Sequence, residues 1–359
     1  MLYYRNSKTV ADKHDDLTGK NSEDIMRNFT TMEEFAAELG LSRSTVSYIL
    51  NGQWKSRHIS EKTAAKVITY AREVNFTPSL FGRALKGKIY TDAAILIPPM
   101  MYEHHRNTFF SLLTQLEQQK LSYLVLPLHS MENNRLTIRQ LQTFRVSKVI
   151  IFAATLSPDE LYWWEENIRN MPEINWFFYD HRLEHGLNRD FFSANVSAVG
   201  FDRVAAFKML IRHTASKGYR RLCYRAPFYT DEETVTVARK ENIELISVVS
   251  GDSLEKFAGH VQNILTVQRD MALCIPDDLQ SIRLLKLLRE RNLNIPGDAG
   301  IISWDGLAVS NYFSPVLETL EIPHDEMYHA ADKFLNGSNG GFMEVTPKIR
   351  PGETLPPQC

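Results

Sequence analysis

Residues 41–51 read L-S-R-S-T-V-S-Y-I-L-N. Wound as a helix, the stretch sets Arg43, Ser44, Thr45, Ser47 and Tyr48 on one side and Val46, Ile49 and Leu50 on the other. So many hydrogen-bonding side chains are not needed in a core helix. The absence of a carboxylate, histidine or cysteine among them argues against acid–base or nucleophilic chemistry. The set suits a helix that lies in a groove and reads hydrogen-bonding edges. A second group, Asp180, Asp277 and Asp305, stands at the ends of apolar runs. Ligands of open α/β sheets sit beyond the carboxyl ends of strands, and a carboxylate there accepts paired hydrogen bonds from hydroxyls. No G-x-S-x-G, H-E-x-x-H, P-loop or G-x-G-x-x-G occurs, so no catalytic residue is assigned and an enzyme is not expected. His104-His105 has no companion at metal-ligand spacing and is expected to be exposed, so neither a metal nor a cofactor is expected.

The elements that position these residues begin at T-M-E-E, a capping box with Thr31 as N-cap and Glu34 reaching back. Met32, Phe35, Ala36 and Leu39 then share a helical face, and Gly40 closes the helix. Ser42 caps a second helix that ends near Leu50, before Asn51-Gly52. A third starts at Ser60 and presents Ala64, Val67, Ile68 and Ala71 to the same core. Short helices joined around Gly40 form a helix-turn-helix pattern, the second helix facing outward. Residues 1–28 lack periodicity and read as a disordered extension. The head spans 29–77, and 78–90 links it to a body at 91–359.

From Thr91 the texture changes. A-A-I-L-I-P, S-Y-L-V-L-P, K-V-I-I-F-A, W-F-F-Y-D, R-L-C-Y, M-A-L-C-I and A-G-I-I-S-W alternate with helical stretches such as 107–119, 202–216 and 279–291. Continuous apolar strands separated by helices mean parallel sheets covered on both faces, as one doubly wound domain or two lobes. Trp163, Trp164, Trp176, Phe177 and Phe178 read as core.

Charge separates head from body. Residues 29–88 carry a net +4, residues 1–28 are balanced, and the rest of the chain holds −6 within an overall −2. A basic head on an acidic body points to a polyanion partner for the head. No apolar run is long enough to span a membrane, and the first residues form no apolar signal segment. Cys223, Cys274 and Cys359 fit no disulfide or zinc framework. A cytoplasmic protein without a membrane partner is expected, nucleoid-associated when bound to DNA.

The head string from T-M-E-E-F-A-A-E-L-G-L-S-R-S-T-V-S-Y-I-L-N-G through I-S-E-K-T-A-A-K-V to N-F-T-P-S-L-F-G-R-A-L-K-G closely resembles the lactose repressor (LacI/GalR) family of bacterial transcription regulators. The body matches in dispersed pieces: N-T-F-F at 107, R-V-S-K-V-I-I at 145, Asp202, His213, G-Y-R-R at 218, I-P-G-D-A-G-I-I-S-W-D at 295 and E-T-L-E-I-P at 318. The resemblance implies a helix-turn-helix head, a hinge helix, and a two-lobed, parallel α/β body like the type I periplasmic binding proteins. It implies a homodimer on a near-palindromic operator in double-stranded DNA, switched by a small effector, most often a sugar or a purine, in the cleft. Arg43, Ser44 and Tyr48 occupy its base-reading positions; Thr31, Ser42, Thr45, Ser47 and Asn51 are assigned to phosphates. In the hinge, Leu85 matches the leucine that wedges into the minor groove, with Ser79 and Arg83 beside it. For the effector, a sugar by preference, the matched positions are Tyr102, Phe109, Asp180, Asp277, Trp304 and Asp305.

Departures matter. Tyr48 stands where many members carry arginine. The 52–59 loop, with Trp54, Lys55, Arg57 and His58, is longer than usual and could add a backbone contact. The family's arginine segment after the fifth body strand has no counterpart, and Pro276 replaces a residue whose side chain often meets ligand. A regulator with a degenerate pocket is therefore the rival reading within DNA binding. A free sugar-binding sensor or an enzyme is the rival outside it.

Overall fold

Thr31 and Glu34 form the expected capping box: the Glu34 amide donates to Thr31 Oγ1 and the Thr31 amide to Glu34 Oε2, both at 3.2 Å. That start fixes α1 (Met32–Glu38), and Gly40, at φ +67°, turns the chain into α2 (Arg43–Leu50). Such a φ strains any residue with a Cβ. α3 (Glu61–Glu73) follows, capped by Ser60. Phe35, Ala36, Val46, Ile49, Ala64, Val67 and Ala71 close a single small core, with Trp54, Ile59 and Phe76 against it. The computed structural model describes residues 31–50, 52–74, 76, 91–99, 101–128, 131–182, 191–192, 195–225, 231–248, 253–267, 270–338 and 340–358. The expected extension at 1–28, the hinge at 78–90, and with them Asn51, Ser79, Arg83 and Leu85, lie outside those residues. The chain divides into two compact units, Met1–Lys88 and Ile89–Cys359.

The larger unit holds two six-stranded sheets. The first contains β1 (Thr91–Ile97), β2 (Tyr123–Pro127), β3 (Val146–Phe152), β4 (Asn175–Arg182), β5 (Val196–Phe201) and β11 (Gly341–Glu344), in the order β11-β5-β4-β3-β1-β2. The second contains β6 (Arg221–Arg225), β7 (Glu244–Val248), β8 (Met271–Cys274), β9 (Gly300–Asp305), β10 (Glu318–Glu321) and β12 (Lys348–Arg350), ordered β12-β10-β9-β8-β6-β7. All pairings are parallel except β10 with β12. Each sheet is one lobe, and the chain crosses between them after β5, after β10 and after β11. The helices are α4 (Glu103–Gln118), α5 (Met131–Thr143), α6 (Pro158–Ile168), α7 (Arg203–Ser216), α8 (Glu232–Lys240), α9 (Leu254–Leu265), α10 (Asp278–Arg289) and α11 (His324–Leu335). Trp164, Trp176, Phe177 and Phe178 are buried as expected, and Trp163 packs partly buried beside them.

Two differences from the sequence reading bear on the site. α4 begins at Glu103, not near 107, because Tyr102 takes the extended N-cap conformation; this draws His104 and His105 into its first turn. β5, V-S-A-V-G-F, carries too little large apolar character to read as a strand, yet every residue in it is buried. Its Gly200 is required: an added Cβ would lie 2.0 Å from the His181 carbonyl oxygen across the β4–β5 ladder.

In the second lobe, Glu318 is fully buried between His213 Nε2, Lys217 Nζ at 3.3 Å and the Gly352 amide at 3.3 Å. Burial alone would raise its pKa, but these partners hold it below the usual glutamate value. A carboxylate with a depressed folded pKa contributes stability above its unfolded pKa and loses it as pH falls through the folded value. Glu318→Ala should therefore lower unfolding stability by ~3 kcal/mol at pH 7. The variant's deficit should shrink below about pH 4.5, as denaturant midpoints of the two chains across pH 3.5–7 would show. A deficit independent of pH would mean that Glu318 acts by packing alone.

Candidate functional site

In the head, the Thr45 amide donates to Ser42 Oγ at 3.1 Å, and Ser42 Oγ also bonds Ser44 Oγ at 2.9 Å and Thr45 Oγ1 at 2.8 Å. The hydroxyls that start α2 thus bond one another on the exposed surface. Arg43 is exposed and pairs with Glu33 at 2.9 Å, an exchangeable surface contact of little weight. Tyr48 is half-buried, and the Arg57 guanidinium lies over its ring at 4.5 Å. The 52–59 loop folds back onto the helix it follows. Lys55 sits over Trp54 at 5.2 Å. Ser47 is half-buried on the same helix. Thr31 serves as a helix cap. Arg43, Ser44 and Tyr48 therefore share one helix, with a second cation supplied by the loop.

In the body, the strands' carboxyl ends frame a cleft between the lobes. Tyr102, His104, Ala154, Asp180 and Arg182 line it from the first lobe; Pro276, Trp304, Asp305 and Ile322 face them, with Arg203 at the start of α7 just past the crossing from β5. The empty space between them, its open mouth and the solvent there included, is about 600 Å³. Four of the six residues expected at the effector site, Tyr102, Asp180, Trp304 and Asp305, meet here. The other two do not line it. Phe109 packs into the core beside Phe152, because α4 starts a turn earlier than expected. Asp277 caps α10, accepting from the Gln280 amide at 2.6 Å. Trp304 lines the cleft while packing on Phe201, so ring wall and core residue are the same side chain.

The expectation that His104 and His105 are exposed is wrong. His104 is 4% exposed and His105 0%. Asp180 is the companion that spacing could not reveal. Its Oδ1 accepts from Arg203 Nη2 at 2.7 Å, and its Oδ2 accepts from His105 Nε2 at 2.8 Å. His104 Nε2 lies 3.9 Å from the same Oδ2, and His104 Nδ1 lies 3.7 Å from Asp305 Oδ2 in the opposite lobe. Neither is a hydrogen bond; the attraction is between charges. The His104 ring is stacked on His324 at 4.2 Å, and His324 Nε2 donates to the Asp305 carbonyl at 3.0 Å.

The electrostatics follow. Burial opposes charge on His104, but Asp180 and Asp305 reverse this and raise its pKa to about 9. His105 is lowered to about 4, first by burial and then by the His104 charge. His324 falls to about 3 for the same two reasons. Burial pushes Asp180 upward, yet Arg203 and the histidines hold it well below the usual carboxylate range. At Asp305 burial prevails over the attraction of His104 and raises the pKa to about 6. The cleft therefore holds one imidazolium between two carboxylates, beside the guanidiniums of Arg182 and Arg203.

Both aspartates are bent out of the ordinary backbone regions. Asp180 has φ +55° at a register shift in β4, and Asp305 has φ +107° at the end of β9. Single positive-φ residues of this kind cost ~1–3 kcal/mol and collect at functional sites. His104, His105, Arg182, Arg203 and His324 were not anticipated. The strand-end rule that found the aspartates could have found His104 and His105, since the first strand–helix junction opens on the same edge.

Comparison with known proteins gives two family matches: bacterial regulatory proteins of the lacI family over residues 31–79, and the periplasmic binding protein-like domain over 211–338. The transcriptional regulator AscG of Escherichia coli (strain K12) is 25% identical over 83% of this chain and 88% of its own. The transcriptional repressor PurR of Vibrio atlanticus (strain LGP32) is 24% identical over 82% and 87%. Among solved structures, a lac repressor dimer bound to operator and the anti-inducer ONPF shares the fold with TM-score 0.69 and 17% identity, over 90% of this chain and 98% of that one. A CcpA regulator from Weissella paramesenteroides with bound glucose matches at TM-score 0.58 and 12% identity, over 74% and 98%.

Asp305 combines strained backbone with a carboxylate in an unfavourable ionised state. Asp305→Gly should therefore raise unfolding stability at pH 7.5 by ~1 kcal/mol, a gain visible as a higher Tm of the full chain. A lower Tm would mean that the His104–Asp305 attraction outweighs the strain.

Proposed function

Given a chain that belongs to the lacI family of bacterial DNA-binding transcriptional regulators, we propose that it is a repressor whose hold on a near-palindromic operator is switched by a sugar in the body's cleft. The observation that carries the reading is the cleft lining: carboxylates from both lobes, guanidiniums and aromatic rings converge on one cleft at the strands' carboxyl ends. Hydroxyls of a sugar pair with Asp180, Asp305, Arg182 and Arg203, and its C–H face lies on Tyr102 or Trp304. AscG and PurR are named as transcriptional regulators, and the Weissella protein holds glucose, which supports the same reading. The built cleft argues against the degenerate-pocket alternative.

On DNA, a homodimer sets two copies of α2 in successive major grooves. Arg43 pairs bidentately with a guanine, and Ser44 and Tyr48 read neighbouring edges. Ser42, Thr45 and Ser47 exchange partners for phosphate oxygens, which place the head without specifying sequence. Thr31 and Asn51 join them, and Leu85, flanked by Ser79 and Arg83, kinks the duplex from the minor groove; these assignments rest on the resemblance of sequence. The Arg57 guanidinium on the Tyr48 ring brings the extra loop to the reading helix, where it adds a backbone contact.

Operator preference is measurable by selecting binding sites from random duplexes with the full chain. Arg43→Ala should relax the preference at one position of each half-site, losing ~1–3 kcal/mol of discrimination there. A uniform loss at every position would place Arg43 on phosphates instead.

The effector is found by thermal shift of the full chain against sugars, sugar acids and purines. A ligand that binds only the folded state adds ~2.7 kcal/mol at 100 times its Kd. The expected hit is a sugar, lost in Asp180→Asn. A purine hit would replace the sugar, and no hit would return the degenerate pocket.

A further inference from the structure

Three side chains in the cleft aim ligand atoms at one point. His104, His105 and Asp180 each offer one atom, and these atoms lie within 4.8 Å of one another. From the geometry we infer that the cleft takes a divalent first-row transition ion on His104 Nε2, His105 Nε2 and Asp180 Oδ2, with the remaining positions left to water or to effector oxygens. This rests on the reading of the cleft as the ligand site and names a second component of the ligand.

The donor set is the first support. Two imidazoles and a carboxylate with open positions suit zinc, cobalt or iron(II). Ions of this kind bind such donors at ~2.0–2.2 Å, so donor atoms stand ~3.4 Å apart in a tetrahedral site. The two separations on Asp180 Oδ2, 2.8 and 3.9 Å, bracket that value. The two oxygens of Asp180 already face different partners. Arg203 holds Oδ1 at 2.7 Å, and Oδ2 is turned to both histidines.

The second support is independent of the set. Neither ring nitrogen of His104 has a hydrogen-bond partner among the described residues, although the side chain is buried. Buried polar atoms are rarely left so. An ion on Nε2 takes the place of the proton that the imidazolium carries there, which is released to solvent, and so satisfies one nitrogen. The other, Nδ1, then donates toward Asp305 Oδ2, 3.7 Å away, forming the carboxylate–histidine–metal arrangement that orients a ligating ring. His105 Nε2 gives up its proton to Nδ1, which also lacks a partner in the described residues. Because Asp305 comes from the other lobe, the ion ties cleft closure to ligand binding. An effector with adjacent hydroxyl or carboxylate oxygens completes the coordination.

The test is titration of the full chain with Co²⁺ alone, followed by calorimetry and visible absorption. One ion per chain and an absorption band of low-coordinate cobalt are expected. His105→Phe keeps the ring packing against Phe152 and Tyr179, and Asp180→Asn keeps the side-chain shape; each should abolish the band. Asp305→Asn should weaken binding ~10–100-fold, as removal of an outer carboxylate does. A flat titration, or a band indifferent to all three variants, overturns the site. Should a variant fail to fold, zinc-edge X-ray absorption of the unaltered chain decides: outer-shell scattering from two imidazoles supports the site, and a sulfur shell or a single imidazole overturns it. The sugar panel reads the cleft without added metal, so loss of the ion and loss of the effector site are separate results.

Discussion

A carboxylate removed from water has to be answered by charge and hydrogen bonds, and Asp180 is the carboxylate around which the cleft is arranged. It is 2% exposed. An unanswered ion at that depth would cost several kcal/mol. Arg203, the first residue of α7, answers one oxygen; His105, in the first turn of α4, answers the other. The positive φ that aims the side chain needs the register shift in β4, and that shift needs Gly200 opposite His181. Two helix starts, one strand irregularity and one glycine are thus fixed by a single buried charge. The start of a helix disfavours a nearby cation by ~0.3–1 kcal/mol. That is too little to offset two buried carboxylates, so His104 carries its proton.

What the sequence made legible follows from the range of the interactions. The head is written in contacts three and four residues apart: a capping box, a glycine turn and an apolar stripe, and all appear where expected. Asp180 and Asp305 were legible because strand ends face the ligand edge in any open parallel sheet. The same rule reaches the edge where His104 and His105 stand, but not their pairing with Asp180, which lies 75 residues from His105 and is carried by no local spacing. Arg203 carried no such signal: only its neighbour Asp202, the cap of α7, stood out, and that by its match to the family. Asp277 shows the rule's weakness: a strand-end aspartate that begins a helix is needed as a cap. Its neighbour Asp278 turns inward instead, accepting from the Leu307 amide at 2.7 Å and Thr319 Oγ1 at 2.8 Å.

The second lobe holds its aspartate differently. Asp305 has no arginine and no hydrogen bond on its carboxylate among the described residues; its backbone is what is held. Gly306, at φ +74°, sits so close to Glu321 that a Cβ would meet the Glu321 Cα at 2.6 Å. Arg350 Nη1 donates to the Gly306 carbonyl at 2.9 Å, and His324 donates to the carbonyl of Asp305. A rigid turn thus presents a poorly satisfied acceptor to the cleft, the condition under which a ligand gains most from arriving.

The two lobes therefore make unequal offers. Asp180 is already paired, and a ligand there exchanges partners for little net gain. Asp305 has only the His104 charge at 3.7 Å, and each donor brought to it relieves a desolvated carboxylate. Moving a two-state regulator from 1:99 to 99:1 requires ~5.5 kcal/mol of differential affinity. One hydrogen bond to a charged group contributes ~1.5–3 kcal/mol. No single contact suffices, and contacts to one lobe alone would favour open and closed arrangements equally. If the cleft switches operator binding as proposed, the switching energy has to come from a ligand that reaches Asp305 from the lobe that holds Asp180.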